Sequence, residues 1–586
     1  MRQAQSTDRT IVIYNTKKLQ LAVYAMTPRI ILSRLLSSSL GPLIRQNTAV
    51  QHSAVQAEAS SSTKVWQQSH PLVVRVFSSF PSWLPPSHGG VSRTSTPLSL
   101  PLPGSPLIPA YQNPLQPPPT EMTVLENGVR IISEATPGPT ASMGMYVDSG
   151  SIYESQEASG SSALLECLAF KSTKHRSALR IASEVDKIGS HVLANASREQ
   201  MSYTIDCLKT HTPAALELLC DCVLNPLLES EEIEEQKARL MMLLGSKDVQ
   251  LTLLNEMLVR TAYKGALGKP LIPDPDQLVK ITPDQIRSFL NSAYTGPRTV
   301  LAASGIEHAR LVEMVTPMLQ QVPKGPADIV IEPVSHYEGG FVHLPGPNPE
   351  PNLLLAFEYN GGWRDVKGAV AMTVLTYLMG GGSSFSSGGP GKGMHSRLYT
   401  RVLTQYAWAN SCTSFNSTFN ESGLIGIQAS CEPAYVANML NVMCNEMEAV
   451  SRSVGQVELD RAKKAAISVI SNALESKATS SEDIGRQFLT YGHRISGREY
   501  VEMISSLTSS ELCSFVSRLL ETKPSLAVVG DGVEAASYDV LLRRYGSGSS
   551  SESPVSRGGV QKSPSAAGRL SKALGLGAWG SNSANS

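Results

Sequence analysis

One stretch of this chain has a composition suited to chemistry with another molecule. It reads Gly380-Gly381-Gly382-Ser383-Ser384-Phe385-Ser386-Ser387-Gly388-Gly389-Pro390-Gly391-Lys392-Gly393. Seven glycines remove the side chains that restrict φ and keep a second backbone at a distance, leaving N–H and C=O groups beside one ring and one cation. That surface suits the handling of another polypeptide. Phosphate chemistry is excluded by spacing, since a P-loop needs Gly at 386 and Ser or Thr at 393 and the chain has Ser386 and Gly393. A dinucleotide fingerprint fails at Phe385, which stands at the third glycine position. A plain flexible linker is the bland alternative; the helix-like runs at 367–379 and 394–405 on either side count against it.

Other chemistries find less support. No G-x-S-x-G elbow is present, and no pair among the eleven histidines has helical ligand spacing. His175, His191 and His395 read as surface or satisfied histidines. Eight scattered cysteines fit buried thiols in a reducing compartment better than a disulfide framework, and Cys220-Asp221-Cys222 lies in an apolar helical run that reads as core. A formal net charge of zero gives no electrostatic reason to bind nucleic acid. No apolar run is long enough for a transmembrane helix.

The elements that must position the glycine-rich stretch can be read from periodicity. Residues 1–119 stand apart: they hold only Asp8 and Glu58 as acids, many arginines and lysines, and abundant Ser and Pro, so they read as disordered. Within them 26–46 spaces Ile31, Leu35, Leu36, Leu40, Leu43 and Ile44 among Arg29, Arg34 and Arg45, the pattern of an organelle transit peptide. Folded sequence begins near Met122 with a hairpin through Asn127-Gly128, followed by a strand at 142–148, an apolar helix at 161–170, a helix at 179–188, a strand at 201–208 and a helix at 213–224. The chain then repeats itself. Ile281-Thr282-Pro283-Asp284-Gln285-Ile286 with the strand after it matches Leu507-Thr508-Ser509-Ser510-Glu511-Leu512, each Thr placed to cap a helix and each following strand ending at Gly305 or Gly530. This duplication gives two α+β halves, 120–320 and 341–545, with a linker at 321–340 and a disordered tail at 546–586 that holds a possible short helix at 570–576.

The stretch 378–403, LMGGGSSFSSGGPGKGMHSRLYTRVL, resembles the glycine-rich loop of the α-subunit family of the mitochondrial processing peptidase. Gly361-Gly362-Trp363, Ser481-Glu482-Asp483-Ile484-Gly485-Arg486-Gln487, Ala169-Phe170-Lys171-Ser172-Thr173 and Ser197-Arg198-Glu199-Gln200-Met201-Ser202-Tyr203-Thr204-Ile205-Asp206 are similar to the same family. The resemblance implies two pitrilysin-like α+β halves of the inverted-zincin type. It further implies a non-catalytic, substrate-recognising subunit that pairs with a zinc-bearing β subunit and binds presequences of imported proteins in the mitochondrial matrix. An alternative within the same fold is a core subunit of the cytochrome bc1 complex on the matrix face of the inner membrane.

In active members of that larger group the first-half helix carries H-x-x-E-H, two imidazoles for zinc and a glutamate to activate water. The matching residues here are Ala163-Leu164-Leu165-Glu166-Cys167, and the downstream region expected to supply a carboxylate ligand reads Arg239-Leu240-Met241-Met242-Leu243-Leu244-Gly245. Ala163, Glu166 and Cys167 thus form a degenerate motif. A catalytic zinc needs three protein ligands and an open position, so no metal or other cofactor is expected in this chain and zinc is expected in the partner. The glycine-rich stretch, Gly380 to Gly393, is the expected substrate-binding element.

Overall fold

The computed structural model describes residues 118–245, 250–325, 332–344, 350–383, 394–530 and 535–545. The transit-peptide candidate at 26–46, the tail helix at 570–576 and the stretch from Ser384 to Gly393, with Phe385 and Lys392, lie outside the described residues.

Alternating apolar residues from Thr120 onward build the first-half sheet. Its strands are β1 (Thr120–Val124), β2 (Arg130–Glu134), β3 (Thr140–Val147), β4 (His191–Ala196), β5 (Met201–Leu208) and β7 (Thr299–Ser304), in the order β1-β2-β7-β3-β5-β4. The short β6 (Tyr263–Gly265) lies apart and pairs with β8 (Ser335–Tyr337). Gly128, at φ +93, closes the β1–β2 turn, and the Asn127 amide donates to the carbonyls of Leu319 and Val322. The second-half sheet comprises β9 (Gly340–Leu344), β10 (Asn352–Asn360), β11 (Gly381–Ser383), β12 (Ala409–Thr418), β13 (Ser422–Cys431) and β14 (Ser525–Val529), ordered β11-β12-β13-β10-β14-β9.

The two sheets share a topology. In each, one pairing is parallel, β2 beside β7 and β9 beside β14, and the remaining pairings are antiparallel, with β1 added outside β2 in the first sheet. Matching the strand ends at Gly305 and Gly530 and the faces that the exchanged helices cover puts Gly144 of β3 with Leu354 of β10, an offset of 210 (144 to 354), and Thr204 of β5 with Gln428 of β13, an offset of 224 (204 to 428). The second half therefore gains its extra length between these strands, where the glycine-rich stretch lies. Local signals follow the repeat as well. Thr282 and Thr508 each form a reciprocal capping box, with Gln285 and Glu511, and Gly305 and Gly530 end the equivalent strands at φ +93 and +112.

Each sheet buries one face against helices of its own half. In the first half Leu164 of α1 (Ser161–Leu168), Ile181 of α2 (Ala178–Ile188), Leu216 and Leu219 of α3 (Thr212–Leu224) and Ile233 of α4 (Ser230–Leu244) pack with Met143, Met145 and Ile205. The other faces are covered by an exchange. Helix α5 (Gln250–Ala262) belongs to the first half, yet its Leu254, Leu258 and Ala262 pack on Leu354, Ala356 and Ala527 of the second sheet. The second half returns the equivalent helix. In chain order its first four helices are α6 (Val366–Met379), α7 (Val436–Arg452), α8 (Gln456–Leu474) and α9 (Lys477–Thr490), and Ile484 and Phe488 of α9 pack on Ile132, Tyr146, Val300 and Ala302 of the first sheet. Each buried Leu or Ile side chain contributes about 1.5–3 kcal/mol, so two such faces hold the halves together by several residues' worth of apolar burial. Polar ties add direction: Arg494 binds Glu134 across the seam at 3.0 Å and also pairs with Asp483, and the Arg130 guanidinium donates to the Phe488 carbonyl at 2.8 Å.

Several sequence expectations need adjustment. The apolar helix expected over 161–170 ends at Leu168, with Phe170 at φ +56. Of the helical run expected at 394–405, residues 397–403 are helical, α at 397–398 and π over Tyr399–Leu403, after a turn at 394–396. The segment 321–340, read as linker, contains β8, whose partner strand β6 belongs to the first half, and β9 begins at its last residue. Among the described residues no helix is long and apolar enough to cross a membrane.

Candidate functional site

Helix α6 is apolar throughout and its last turn runs directly into the glycine-rich stretch. The change from helix to strand happens within two residues, Gly380 at φ +55 and Gly381 at φ +110. Neither position tolerates a side chain. A Cβ on Gly380 would sit 2.4 Å from Cβ of Ser396, and one on Gly381 would sit 2.0 Å from the Cys412 carbonyl oxygen. Gly381, Gly382 and Ser383 then form β11, paired with Thr413, Cys412 and Ser411 of β12. This is the edge of the second sheet, and a Cβ on Gly382 would meet no atom within 4 Å. The junction is secured by Ser414, whose N–H donates to the Gly380 carbonyl at 2.8 Å and whose hydroxyl donates to the Thr376 carbonyl at 2.7 Å.

Where the chain returns, Arg397 is only 4% exposed and makes a two-pronged ion pair with Glu458 of α8, at 3.0 and 2.5 Å, while also donating to the Ser453 carbonyl at 2.8 Å. The Arg461 guanidinium donates to the His395 carbonyl at 2.6 Å. Of the expected substrate-binding residues, Gly380, Gly381, Gly382 and Ser383 are thus placed at a sheet edge, and both flanks are fixed to rigid elements.

The degenerate motif sits on α1 in the other half. Buried Glu154 accepts from the N–H groups of Gly160 and Ser162, each at 2.7 Å, and so satisfies the helix N-terminus. Glu166 accepts from the Ala196 N–H at 3.2 Å. Burial pushes the Cys167 thiol up to about 12, with Glu166 reinforcing the shift and Arg239 and Lys171 opposing it. Ala163 offers a methyl group where an imidazole would be needed, which leaves one thiol and one carboxylate where a catalytic zinc takes three ligands and an open position. These residues do not fit a zinc ion. Among the described residues no group of three or more His, Cys, Asp or Glu is arranged to hold a metal. His175, exposed at its ring, hydrogen-bonds Asp221 at 2.7 Å, and Asp221 also takes Thr173 and Arg176, a network that closes the turn before α2.

Sequence reasoning gave no role to a cavity of about 250 Å³ at the seam, lined by Glu199, Glu332, Glu358, Glu421, His336 and Tyr337 among others. Glu199 lies in a segment that carries the family resemblance, and no motif marks Glu332, Glu358 or Glu421, which come from segments far apart in the chain. Burial pushes Glu199 up to about 8, an effect that the Asn420 N–H donating to both its oxygens only partly offsets. Glu332 and Glu358 are also raised by burial; Arg364 binds Glu332 at 2.7 Å and the Ser422 hydroxyl donates to Glu358 at 2.9 Å. Burial thus disfavours the charged form of Glu199, Glu332 and Glu358 alike, and the cavity lies where segments of the two halves meet.

Comparison with known proteins agrees with this geometry. Residues 130–274 match the insulinase family (peptidase family M16), and residues 280–466 match the peptidase M16 inactive domain. The probable mitochondrial-processing peptidase subunit alpha-2, chloroplastic/mitochondrial, of Arabidopsis thaliana is 40% identical over 474 residues, covering 80% of this chain and 94% of that protein. The mitochondrial-processing peptidase subunit alpha of Solanum tuberosum is 40% identical over 468 residues (79% and 92%), and that of Bos taurus 33% over 474 (77% and 90%). With both M16 domains present and relatives of this similarity matched over nine-tenths or more of their length, the chain belongs to the mitochondrial-processing-peptidase alpha-subunit family of the M16 peptidases.

Proposed function

We propose that this chain is the non-catalytic, substrate-recognising subunit of a heterodimeric mitochondrial processing peptidase, which removes presequences from imported precursors. The observation that carries the reading is a combination within one chain. A glycine-rich stretch is retained and built onto a fixed sheet edge, while the helix that would hold zinc presents Ala163 and Cys167. The names of the relatives support the same role and a mitochondrial location, and we place the protein in the matrix. A catalytic β partner supplies the zinc and the hydrolysis; this chain supplies contact with the peptide.

A presequence is basic and amphipathic and must be held extended for its backbone to be cut. Glycine backbone approaches such a chain closely and asks for no particular side chain, which suits a subunit that serves many precursors. On this reading Phe385 offers the stretch's one large apolar side chain to the apolar face of the peptide, and the charge of Lys392 would repel a basic peptide. Mixing experiments test the assignment. A fluorogenic presequence peptide is expected to be cut by the chain and its β partner together and not by the chain alone, which should also carry no stoichiometric zinc. Cleavage by the purified chain alone, lost on chelation, would overturn it.

A further inference from the structure

The two limbs of the glycine-rich stretch are tied to each other as well as to the rest of the fold. The Gly381 N–H donates to Ser396 Oγ at 3.0 Å, bridging the outgoing and returning chain. Contact this close depends on Gly380, since a Cβ there would lie 2.4 Å from Ser396 Cβ and 2.6 Å from its Oγ. Ser396 is itself held from below. Its carbonyl accepts from Thr400 N–H at 3.0 Å and Thr400 Oγ1 at 2.9 Å, and its neighbour Arg397 is locked to Glu458. Glu458 in turn takes the Gly455 N–H at 2.7 Å at the start of α8. One chain of contacts therefore runs from the helix start, through Glu458, Arg397 and Ser396, to the first residues of the stretch.

We infer that Ser396, supported by Arg397 and Glu458, is a positioning residue for presequence capture: its hydroxyl closes a neck that fixes where the glycine-rich stretch leaves the sheet edge. This inference rests on the proposed recognition role of the stretch. Lengthening a loop costs little in closure entropy, so opening the neck leaves the fold intact and changes instead the fraction of molecules that present the stretch in its binding position. Loss of one such hydrogen bond corresponds to about a fivefold change in that fraction.

The test uses the heterodimer reconstituted with the zinc-bearing partner and a synthetic presequence peptide. Ser396→Ala is expected to raise KM about fivefold with kcat, melting temperature and heterodimer yield unchanged. Ser396→Thr, which keeps the hydroxyl, is expected to hold KM near that of the unaltered chain. Arg397→Lys, which keeps the charge and loses the two-pronged grip on Glu458, should shift KM in the same direction as Ser396→Ala. Unaltered KM in Ser396→Ala, or equal impairment in Ser396→Ala and Ser396→Thr, would overturn the neck. A parallel deletion of residues 380–391 separates the two levels: an impaired deletion with normal Ser396→Ala removes only the neck, whereas a normal deletion removes the recognition role itself.

Discussion

Replacing Gly485 by alanine probes the exchanged helix that joins the halves. Gly485 lies on the buried face of α9, and a Cβ there would stand 2.2 Å from Cδ2 and 2.5 Å from Cε2 and Cγ of Tyr146. Carbon atoms pack at about 3.5–4.0 Å, so the methyl group intrudes by more than 1 Å. The ring has nowhere to retreat: Tyr146 is 1% exposed, and it lies back over Gly144, whose own Cβ would stand 2.4 Å from the tyrosine oxygen. Overpacking of this kind costs about 1–3 kcal/mol, and a fixed ring puts the cost at the upper end. Alanine gains roughly 1 kcal/mol over glycine in a helix interior. The clash wins, leaving a net loss of about 1–2 kcal/mol in urea denaturation. Tyr146→Ala by itself should cost about 3–5 kcal/mol through the cavity it leaves. In that background Gly485→Ala should become stabilising, giving a coupling of about 2–3 kcal/mol between the two positions. If Gly485→Ala proves as stable as the parent, or more so, in the presence of Tyr146, the packing argument is refuted.

Other perturbations address the seam. Glu199 keeps its proton in the folded chain up to about pH 8, whereas the unfolded chain ionises near its ordinary value of 4.5, so stability falls as pH rises between these values. Glu199→Gln removes that dependence, and its melting temperature should vary less over this range and exceed the parent's above pH 8; parallel pH profiles would contradict the reading. Arg494→Met leaves Glu134 without its cross-seam partner and should destabilise by about 3 kcal/mol, measured by denaturant unfolding. Gly381→Ala would press on the Cys412 carbonyl and detach β11, which should appear as faster amide exchange at Gly382 and Ser383 with little change in global stability.

Much of the local structure was legible because it is written in short signals. The Thr282 and Thr508 caps, the Asn127-Gly128 turn and the apolar runs of α1 and α6 need only neighbours in sequence to act. The exchange of α5 and α9 was not legible, since an amphipathic helix declares a buried face but not which sheet covers it. The segment 394–405 read as helix-like and is helical over 397–403, but the bonds from Arg397 to Glu458 and from Gly381 to Ser396 join segments distant in the chain and left no mark in the sequence. At the glycine-rich stretch the composition pointed to the element. It could not show that Gly380 and Gly381 are glycines for steric reasons set by Ser396 and Cys412.

The central claim is that the glycine-rich stretch captures the presequence for a catalytic partner, and deletion of residues 380–391 in the reconstituted heterodimer tests it most directly. Dissociation constants for a presequence peptide, cleavage rates and the zinc content of the partner would be measured on the same preparation. The account expects weaker peptide binding and slower cleavage with the heterodimer and the partner's zinc intact; unaltered binding and wild-type processing would contradict it.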